Sequence, residues 1–486
     1  MSLSTHSSVS LSIVARYMTL GLQFVSTLIL ARLLTPEDIG IYTAGFSMVA
    51  LAHLFRDFGF NQYLIQERQL TKDKVETSFT LSVFISWGLG ALLLLSAPWA
   101  AQLVDEPKVK LLVQLLSINF FIIPFGAIAM ALLRKALKFH ITAGIGIVTT
   151  LAGMAVTLAT AYQGHGYLCL AYGAITETLL TAILASLVKT DNVSLRFNLK
   201  GARHILAFGS VVGITNIITH FSDTAKNVII TRAMGATLLG FFSRAEGATK
   251  LFDMIFASAI RPIVLPLYSG LNHMQSLLLD AYYKTCHYAF ALAWPFFAFL
   301  LIHTDTVILT LYGDQWGPAI PLTRILCIGF MCIPPVIFID ALLIANGTPK
   351  ANMKTALAFN LLQVLLLVIA GIFGTIYDIT ILVSAMVAVR TLMYLAVLRR
   401  VVGVSLREMA TIALANIPCL LFAIVPTIIA RPFVLAASDV LIVQFAMLLL
   451  ISAIGWFAAL ILSEHELLDE LLRLARIRKA PVQGKA

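Results

Sequence analysis

Eight basic and six acidic side chains stand inside long apolar stretches of this sequence: Arg16, Arg56, Lys226, Arg244, Lys250, Arg261, Arg324 and Arg390, with Asp57, Glu177, Asp223, Glu246, Asp253 and Asp340. An ionised group near a bilayer centre costs on the order of 2.5–3.5 kcal/mol on insertion scales. Each such group must therefore pair with a neighbour, reach the interface along its own alkyl stem, or serve a ligand. Arginine offers a planar fork to a phosphate and lysine a point charge. The interleaved carboxylates are candidates for coupling to an ion gradient.

Angular position narrows the choice. With each residue advancing about 100° around a helix, Arg16, Gln23 and Thr27 fall on one narrow face. Asn216, Thr219, His220, Asp223, Lys226 and Asn227 share another, and His53, Arg56 and Asp57 a third. Glu246, Lys250, Asp253 and Arg261 lie within about 80° of each other on a fourth helix. Polar stripes of this kind line a water-filled cavity when they face one another. The candidate substrate-binding cations are Arg16, Arg56, Lys226, Arg244, Lys250 and Arg261; the candidate ion-coupling carboxylates are Asp223, Glu246 and Asp253. The alternative is structural pairing, for which Asp223 with Lys226 and Glu246 with Lys250 have the right spacing. Arg16 has no acidic residue nearby in its own stretch. Arg56, Asp57, Arg261 and Asp340 lie close enough to segment ends to snorkel.

The elements that carry these residues follow from composition. Of 486 residues, 59% are hydrophobic and 12% charged, and the mean hydropathy is +0.92. A soluble domain carries about a quarter charged residues. A span needs about 20 apolar residues, and that length predicts about 14 transmembrane helices, near 10–33, 39–58, 77–100, 111–133, 141–162, 168–188, 205–231, 238–267, 284–303, 319–345, 355–375, 379–398, 411–430 and 440–463. The fold class expected is an all-α polytopic membrane protein, because backbone groups cannot stay unpaired in lipid. With the N-terminus inside, 21 Lys and Arg fall in inner loops and five in outer ones. The bias places both termini in the cytoplasm and accounts for the net charge of +10 without nucleic acid. The N-terminus is expected to enter an uncleaved first span. The tail from His465, with leucines at helical spacing and a basic end, is expected to lie on the inner membrane surface as an amphipathic helix.

Two stretches align at an offset of 200: ILARLLTPEDIGIY from Ile29 and IITRAMGATLLGFF from Ile229. Arg32 matches Arg232 and Gly40 matches Gly240. The repeat divides the chain into an N-lobe of helices 1–6 (1–195), a C-lobe of helices 7–12 (196–402), helices 13–14 (403–464) and a tail (465–486). An even number of helices separates the copies, so the repeat is parallel and a substrate path is expected between two bundles. In the first copy Thr35 is the expected N-cap, with Pro36 at the first helical position and Glu37 and Asp38 in the first turn. No Walker A sequence is present, and Asp57-Phe58-Gly59 has no kinase context. The five cysteines lack metal-ligand spacing. Neither a metal, a cofactor nor a catalytic residue is expected, although coupling to a Na+ or H+ gradient is.

The residues LARLLTPEDIGIYTAG (Leu30 to Gly45), FRDFGFNQYLIQE (Phe55 to Glu67) and LYGDQWGPAIPLTRILC (Leu311 to Cys327), in this helix order, resemble the polysaccharide transporter family of the multidrug/oligosaccharidyl-lipid/polysaccharide exporter superfamily. The nearest branch is that of Wzx-type flippases of the colanic-acid type. The resemblance implies two six-helix lobes, two appended helices and a central cationic cavity with arginines from the first, second, seventh and eighth helices. It implies an undecaprenyl-pyrophosphate-linked oligosaccharide turned across the bacterial inner membrane for exopolysaccharide, capsule or O-antigen synthesis. A polysaccharide polymerase and a chain-length regulator are then the candidate protein partners of a monomer. The rivals are a peptidoglycan-precursor flippase or drug/cation antiporter of the same superfamily, and a membrane polysaccharide polymerase, which would be an enzyme.

Overall fold

A computed structural model describes residues 2–56, 63–65, 67, 70–188, 196–200, 202, 220–271 and 273–477, with side chains from Tyr17 to Leu472, Ala259 apart. Among the described residues there is no strand. The helices are α1 (Ser2–Leu33), α2 (Pro36–Arg56), α3 (Lys72–Val104), α4 (Lys108–Lys135), α5 (Phe139–Tyr162), α6 (Leu168–Leu187), α7 (220–234), α8 (Ala236–Phe252) and α9 (Ser258–Leu271). They continue as α10 (Gln275–Ile302), α11 (Thr304–Tyr312), α12 (Ala319–Phe330), α13 (Ile339–Ala345), α14 (Pro349–Phe373), α15 (Ile376–Val401), α16 (Leu406–Ala415), α17 (Ile417–Ala437), α18 (Leu441–Leu462) and α19 (Glu466–Ile477).

Ten of the described helices are long and apolar enough to cross a membrane, or twelve if two bent pairs each count as one span. The expected count of 14 is higher because the seventh expected segment falls largely outside the described residues and the first has described side chains only from Tyr17, which leaves Tyr17–Leu33 short of a span. Their surfaces require lipid as solvent. In α14 only 22% of the most apolar window is buried, and Leu361, Leu365, Ile372 and Phe373 stand exposed along it. Contiguous apolar surface of that extent is not tolerated in water. The chain is a multi-pass α-helical membrane protein.

By internal contacts the chain forms two compact units, Met1–Ser243 with Asn360–Ile376, and Arg244–Phe359 with Tyr377–Ala486. In the first unit α3 packs on α4, α4 on α6, α5 on α6, and α1 on α5. The turn between α1 and α2 is a reciprocal cap. The Thr35 hydroxyl accepts from the Asp38 amide at 3.1 Å, while the Asp38 carboxylate accepts from the Thr35 amide and hydroxyl at 3.1 and 2.7 Å. Asp38 also accepts from the Tyr167 amide at 3.0 Å, which ties this turn to the start of α6. The second copy of the repeat makes the same turn differently. Gly235 stands where the first has Thr35 and adopts φ +89°, a conformation open to glycine.

The two copies of the repeat touch each other at matching positions. A Cβ on Gly40 would overlap the Ala236 carbonyl, and one on Gly240 would overlap that of Pro36. Only glycine lets the first turns of α2 and α8 approach so closely, the small-residue contact that substitutes for a hydrophobic driving force in lipid. Gly144, by contrast, has nothing within 4 Å of its would-be Cβ. Gly40→Val or Gly240→Val is therefore expected to destabilise by about 1–3 kcal/mol or more, seen as a lowered unfolding temperature of detergent-solubilised protein. Gly144→Ala should leave that temperature unchanged.

In the second unit α10 packs against α12, α16 and α17, and α17 pairs with α18. The amphipathic helix expected in the tail forms as α19, and three of its leucines pack within the protein while Leu472 stays exposed. Leu467, Leu468 and Leu471 pack with Ala291, Cys419, Ala459 and Leu460. A polar clamp precedes it. The His465 ring lies 4.0 Å from that of His287 and parallel to it, and Asn416 bridges both, 2.9 Å from His287 Nδ1 and 3.2 Å from His465 Nε2. His465 Nδ1 accepts from the Leu467 amide at 3.1 Å, so the neutral ring caps α19. Lys284 pairs with Glu466 at 3.1 Å and approaches Glu470, while Tyr288 flanks the His465 ring. Burial, and then the neighbouring His287, pull the His465 pKa from 6.5 down to about 4, against the smaller opposing effect of Glu466. A base with a depressed folded pKa adds stability above its unfolded value that is lost as pH falls through the folded one. Protection factors of the 466–477 amides, exchange normalised to the intrinsic rate at each pH, should accordingly be highest above pH 6.5 and fall between pH 6.5 and 4, whereas His465→Gln, which titrates nowhere in this range, should flatten that response.

Candidate functional site

The chemistry expected of this chain rests on cations inside apolar helices, and each meets a different environment. Arg16 lies on α1, but its side chain is outside the described residues, as are Asn216 and Thr219 of the seventh stripe. Arg56 ends α2, half-buried. Lys226, on α7, is 3% exposed. Its Nζ lies 3.4 Å from Asp223 Oδ1, one turn earlier, and 5.5 Å from the centre of the Phe242 ring. Neighbouring positions on α7 are polar and satisfied: the Ser222 hydroxyl donates to Gln363 at 3.1 Å and that of Thr224 to the Ser47 carbonyl at 3.0 Å.

In the second unit the stripe on α8 is largely self-paired. Lys250 meets Glu246 at 3.1 Å, four residues apart. Arg261, on α9, pairs with Asp253. The two pairs with structural spacing, Asp223–Lys226 and Glu246–Lys250, thus form, and Asp253–Arg261 adds a third that spacing did not offer. Every candidate coupling carboxylate is engaged by a candidate substrate cation.

Arg244 is different. Its guanidinium carbon lies 5.4 Å from the centre of the Tyr312 ring and 5.2 Å from that of Trp316, both rings fully buried. Its Nε is buried with no hydrogen-bond partner among the described residues. The local sequence builds this cradle. Gly313, at φ +98°, turns the chain out of α11 in a conformation that side chains other than glycine resist. The Trp316 amide then donates to the Gly313 carbonyl at 3.1 Å, closing a single tight turn that sets the indole beside Arg244. The motif Gly313-x-x-Trp316 is thus the scaffold of an arginine cradle. Two aromatic faces orient the fork without using up its donors.

Sequence reasoning missed this pairing because 72 positions separate Arg244 from Trp316. It also missed a second polar cluster, buried at His303 and Thr427 and about a third exposed at Asp305 and Arg431. Arg431, just past the expected span 411–430, lies within α17, which runs to Ala437. There it pairs with Asp305, while His303 meets the Thr427 hydroxyl at 2.8 Å. The expectation failed because Arg431-Pro432 resembles a helix end, yet α17 carries Pro432 internally.

A family model of polysaccharide biosynthesis proteins matches residues 29–321. The chain belongs to that family, in keeping with the resemblance read from its motifs. Among its relatives, the lipopolysaccharide biosynthesis protein WzxC of Escherichia coli (strain K12) is 24% identical over 369 residues, 75% of this chain and 73% of the relative. The succinoglycan biosynthesis transport protein ExoT of Rhizobium meliloti (strain 1021) is 22% identical over 331 residues, 67% of this chain and 66% of the relative. In fold, the chain is similar to the lipid II flippase MurJ in an inward closed conformation, with TM-score 0.72 at 15% identity over 94% of this chain and 99% of that one. It is also similar to an inward-facing multidrug resistance transporter of the MATE family, with TM-score 0.64 at 18% identity over 79% and 94%.

The cradle's energetics distinguish a structural arginine from one held for a ligand. Removing an ion from water costs several kcal/mol, and a desolvated cation–π contact returns about 2 kcal/mol. An arginine held this way with an orphan Nε is a net destabiliser. Arg244→Met, which keeps the bulk without the charge, is expected to unfold at the same temperature as wild type or higher, by up to about 4 kcal/mol. A clear loss of stability would mark Arg244 as structural.

Proposed function

We propose that this protein is a flippase that turns undecaprenyl-pyrophosphate-linked oligosaccharide repeat units from the inner to the outer leaflet of the bacterial inner membrane, by alternating access. The observation that carries the reading is Arg244, held by two aromatic rings with a buried donor that has no partner among the described residues. A pyrophosphate with about two charges cannot cross hydrocarbon unaided, and an oriented guanidinium fork is the group that recognises it. The names of WzxC and ExoT, a lipopolysaccharide biosynthesis protein and a succinoglycan transport protein, support a surface-polysaccharide substrate.

In this reading Arg16, Arg56, Lys226, Arg244, Lys250 and Arg261 contribute the cationic path. Asp223, Glu246 and Asp253 exchange a proton or Na+ as the path alternates. The lobes are 1–195 and 196–402, with 403–464 appended and both termini in the cytoplasm. A polysaccharide polymerase and a chain-length regulator act on the delivered repeat unit, and the flippase itself works as a monomer without catalytic chemistry. The carboxylates sit beside cations, which disfavours a pocket for cationic drugs.

Proteoliposomes containing a fluorescent lipid-linked oligosaccharide test the reading. Wild-type protein should move the label from a quencher-accessible to a protected leaflet. Arg244→Met should slow this at least about tenfold, the equivalent of 1.4 kcal/mol, and Arg244→Lys should not rescue it, because lysine lacks the fork. Export of a cationic dye with no movement of the oligosaccharide lipid would instead favour the antiporter.

A further inference from the structure

Helix α8 does not run straight into α9. Asp253–Ala257 form a π turn, and the segments Ala236–Ala257 and Ile260–Leu271 meet at 53°. A π turn interrupts the regular hydrogen-bond ladder, so the backbone can change register there at low cost. Two further features surround this bend. Asp253, the first residue of the π turn, pairs with Arg261 on the far side, so the ion pair spans the bend; their side chains are 47% and 54% exposed. Behind the bend lies a small apolar cavity of about 40 Å³, lined by Phe256 and Ile260 of the bend and by Phe338 beside the break in the α12–α13 segment. Side chains facing a void lack contacts on that side and have room to move.

We propose that the Asp253–Arg261 pair is a latch opened by a pyrophosphate-bearing ligand. The Asp253 carboxylate occupies, at the Arg261 fork, the place that a phosphate oxygen takes. Binding exchanges one anion for the other, frees Asp253 and lets the bend change its angle into the cavity. The proposal rests on the reading that the substrate carries a pyrophosphate. Carboxylate and phosphate present the same acceptor geometry to a guanidinium. Arg261 therefore stays neutralised throughout, and no step strands a bare cation among apolar side chains. The freed Asp253 becomes the costly charge, and a proton or Na+ from the aqueous side neutralises it. One residue thereby links ligand arrival, helix bending and ion uptake. The angle shifts only by the ligand's preference for one bend state over the other, and competition with Asp253 supplies that preference.

The test uses the full chain in detergent, its native cysteines replaced by alanine, with spin labels at Thr237→Cys and Gly270→Cys on either side of the bend and farnesyl pyrophosphate as probe. Pulsed-EPR distances should shift when the probe is added to this otherwise wild-type protein. Asp253→Asn should show the shifted distribution without probe and bind the probe about fivefold more tightly, or better. Exchanging the charges, Asp253→Arg with Arg261→Asp, should restore the bent distribution in the absence of probe, which excludes misfolding as the cause. An Asp253→Asn distribution matching the wild type, or a wild type indifferent to saturating probe, overturns the latch. If the wild type flips lipid-linked oligosaccharide while the bend ignores both, the latch falls and the function stands. If the bend responds but no oligosaccharide lipid moves, the function falls and the latch stands.

Discussion

An ionised side chain inside a bilayer must be neutralised, shielded or put to use, and most of this architecture answers to that constraint. At several kcal/mol per unpaired charge, a chain with net stability of about 5–15 kcal/mol tolerates few exceptions. Lys226, Lys250 and Arg261 meet the constraint with carboxylates on their own helix or just beyond it. Arg431 meets it with Asp305 across a helix pair. Arg244 meets it only by half, through two aromatic faces that shield the charge without cancelling it. The unanswered half is what a ligand can supply.

Glycine sets the backbone at the key turns of both units. Gly240 sits four residues before Arg244 on α8, and its missing side chain lets the start of that helix press against Pro36. The reciprocal contact of Gly40 with Ala236 fixes the first turn of α8 from the other side. In the second unit Gly313 turns the chain so that Trp316 arrives under the guanidinium. Gly40 and Gly240 each allow a close backbone approach within the first unit, and Gly313 allows the turn beside Arg244 in the second.

What sequence made legible follows from the range of each interaction. Helical spans, the Thr35 cap, the repeat and the Asp223–Lys226 and Glu246–Lys250 pairs depend on residues one to four positions apart or on runs of composition, and regular periodicity carries them. Asp253–Arg261 shared a face in the sequence but escaped as a pair because eight residues exceed the three- or four-residue reach of a straight helix, and no spacing rule foresees the π turn and 53° bend between them. The Arg244 cradle escaped because its partners come from a segment about 70 residues away, and no spacing rule spans that distance. The tail was half legible. Its amphipathicity was plain, but an apolar face that fits lipid equally fits a neighbouring helix, and only Leu467 against Cys419 and Leu460 decides between them.

The distribution of charge also argues for the kind of substrate. Of the nine candidate residues, six are cations and three are carboxylates, and each carboxylate has a cation beside it. A pocket selecting organic cations would need the reverse, carboxylates left over after internal pairing. Choosing an anion by raw positive charge alone would leave several repelling cations in a low-dielectric space whenever the site is empty. Built-in carboxylates remove that penalty, and in the proposed function each stands in for the ligand and gives way to it. On this view Asp223, Glu246 and Asp253 are the resting-state counterparts of the substrate's phosphates. In the proposed function their displacement is what links anion transport to cation uptake, since each departing carboxylate must find another positive charge.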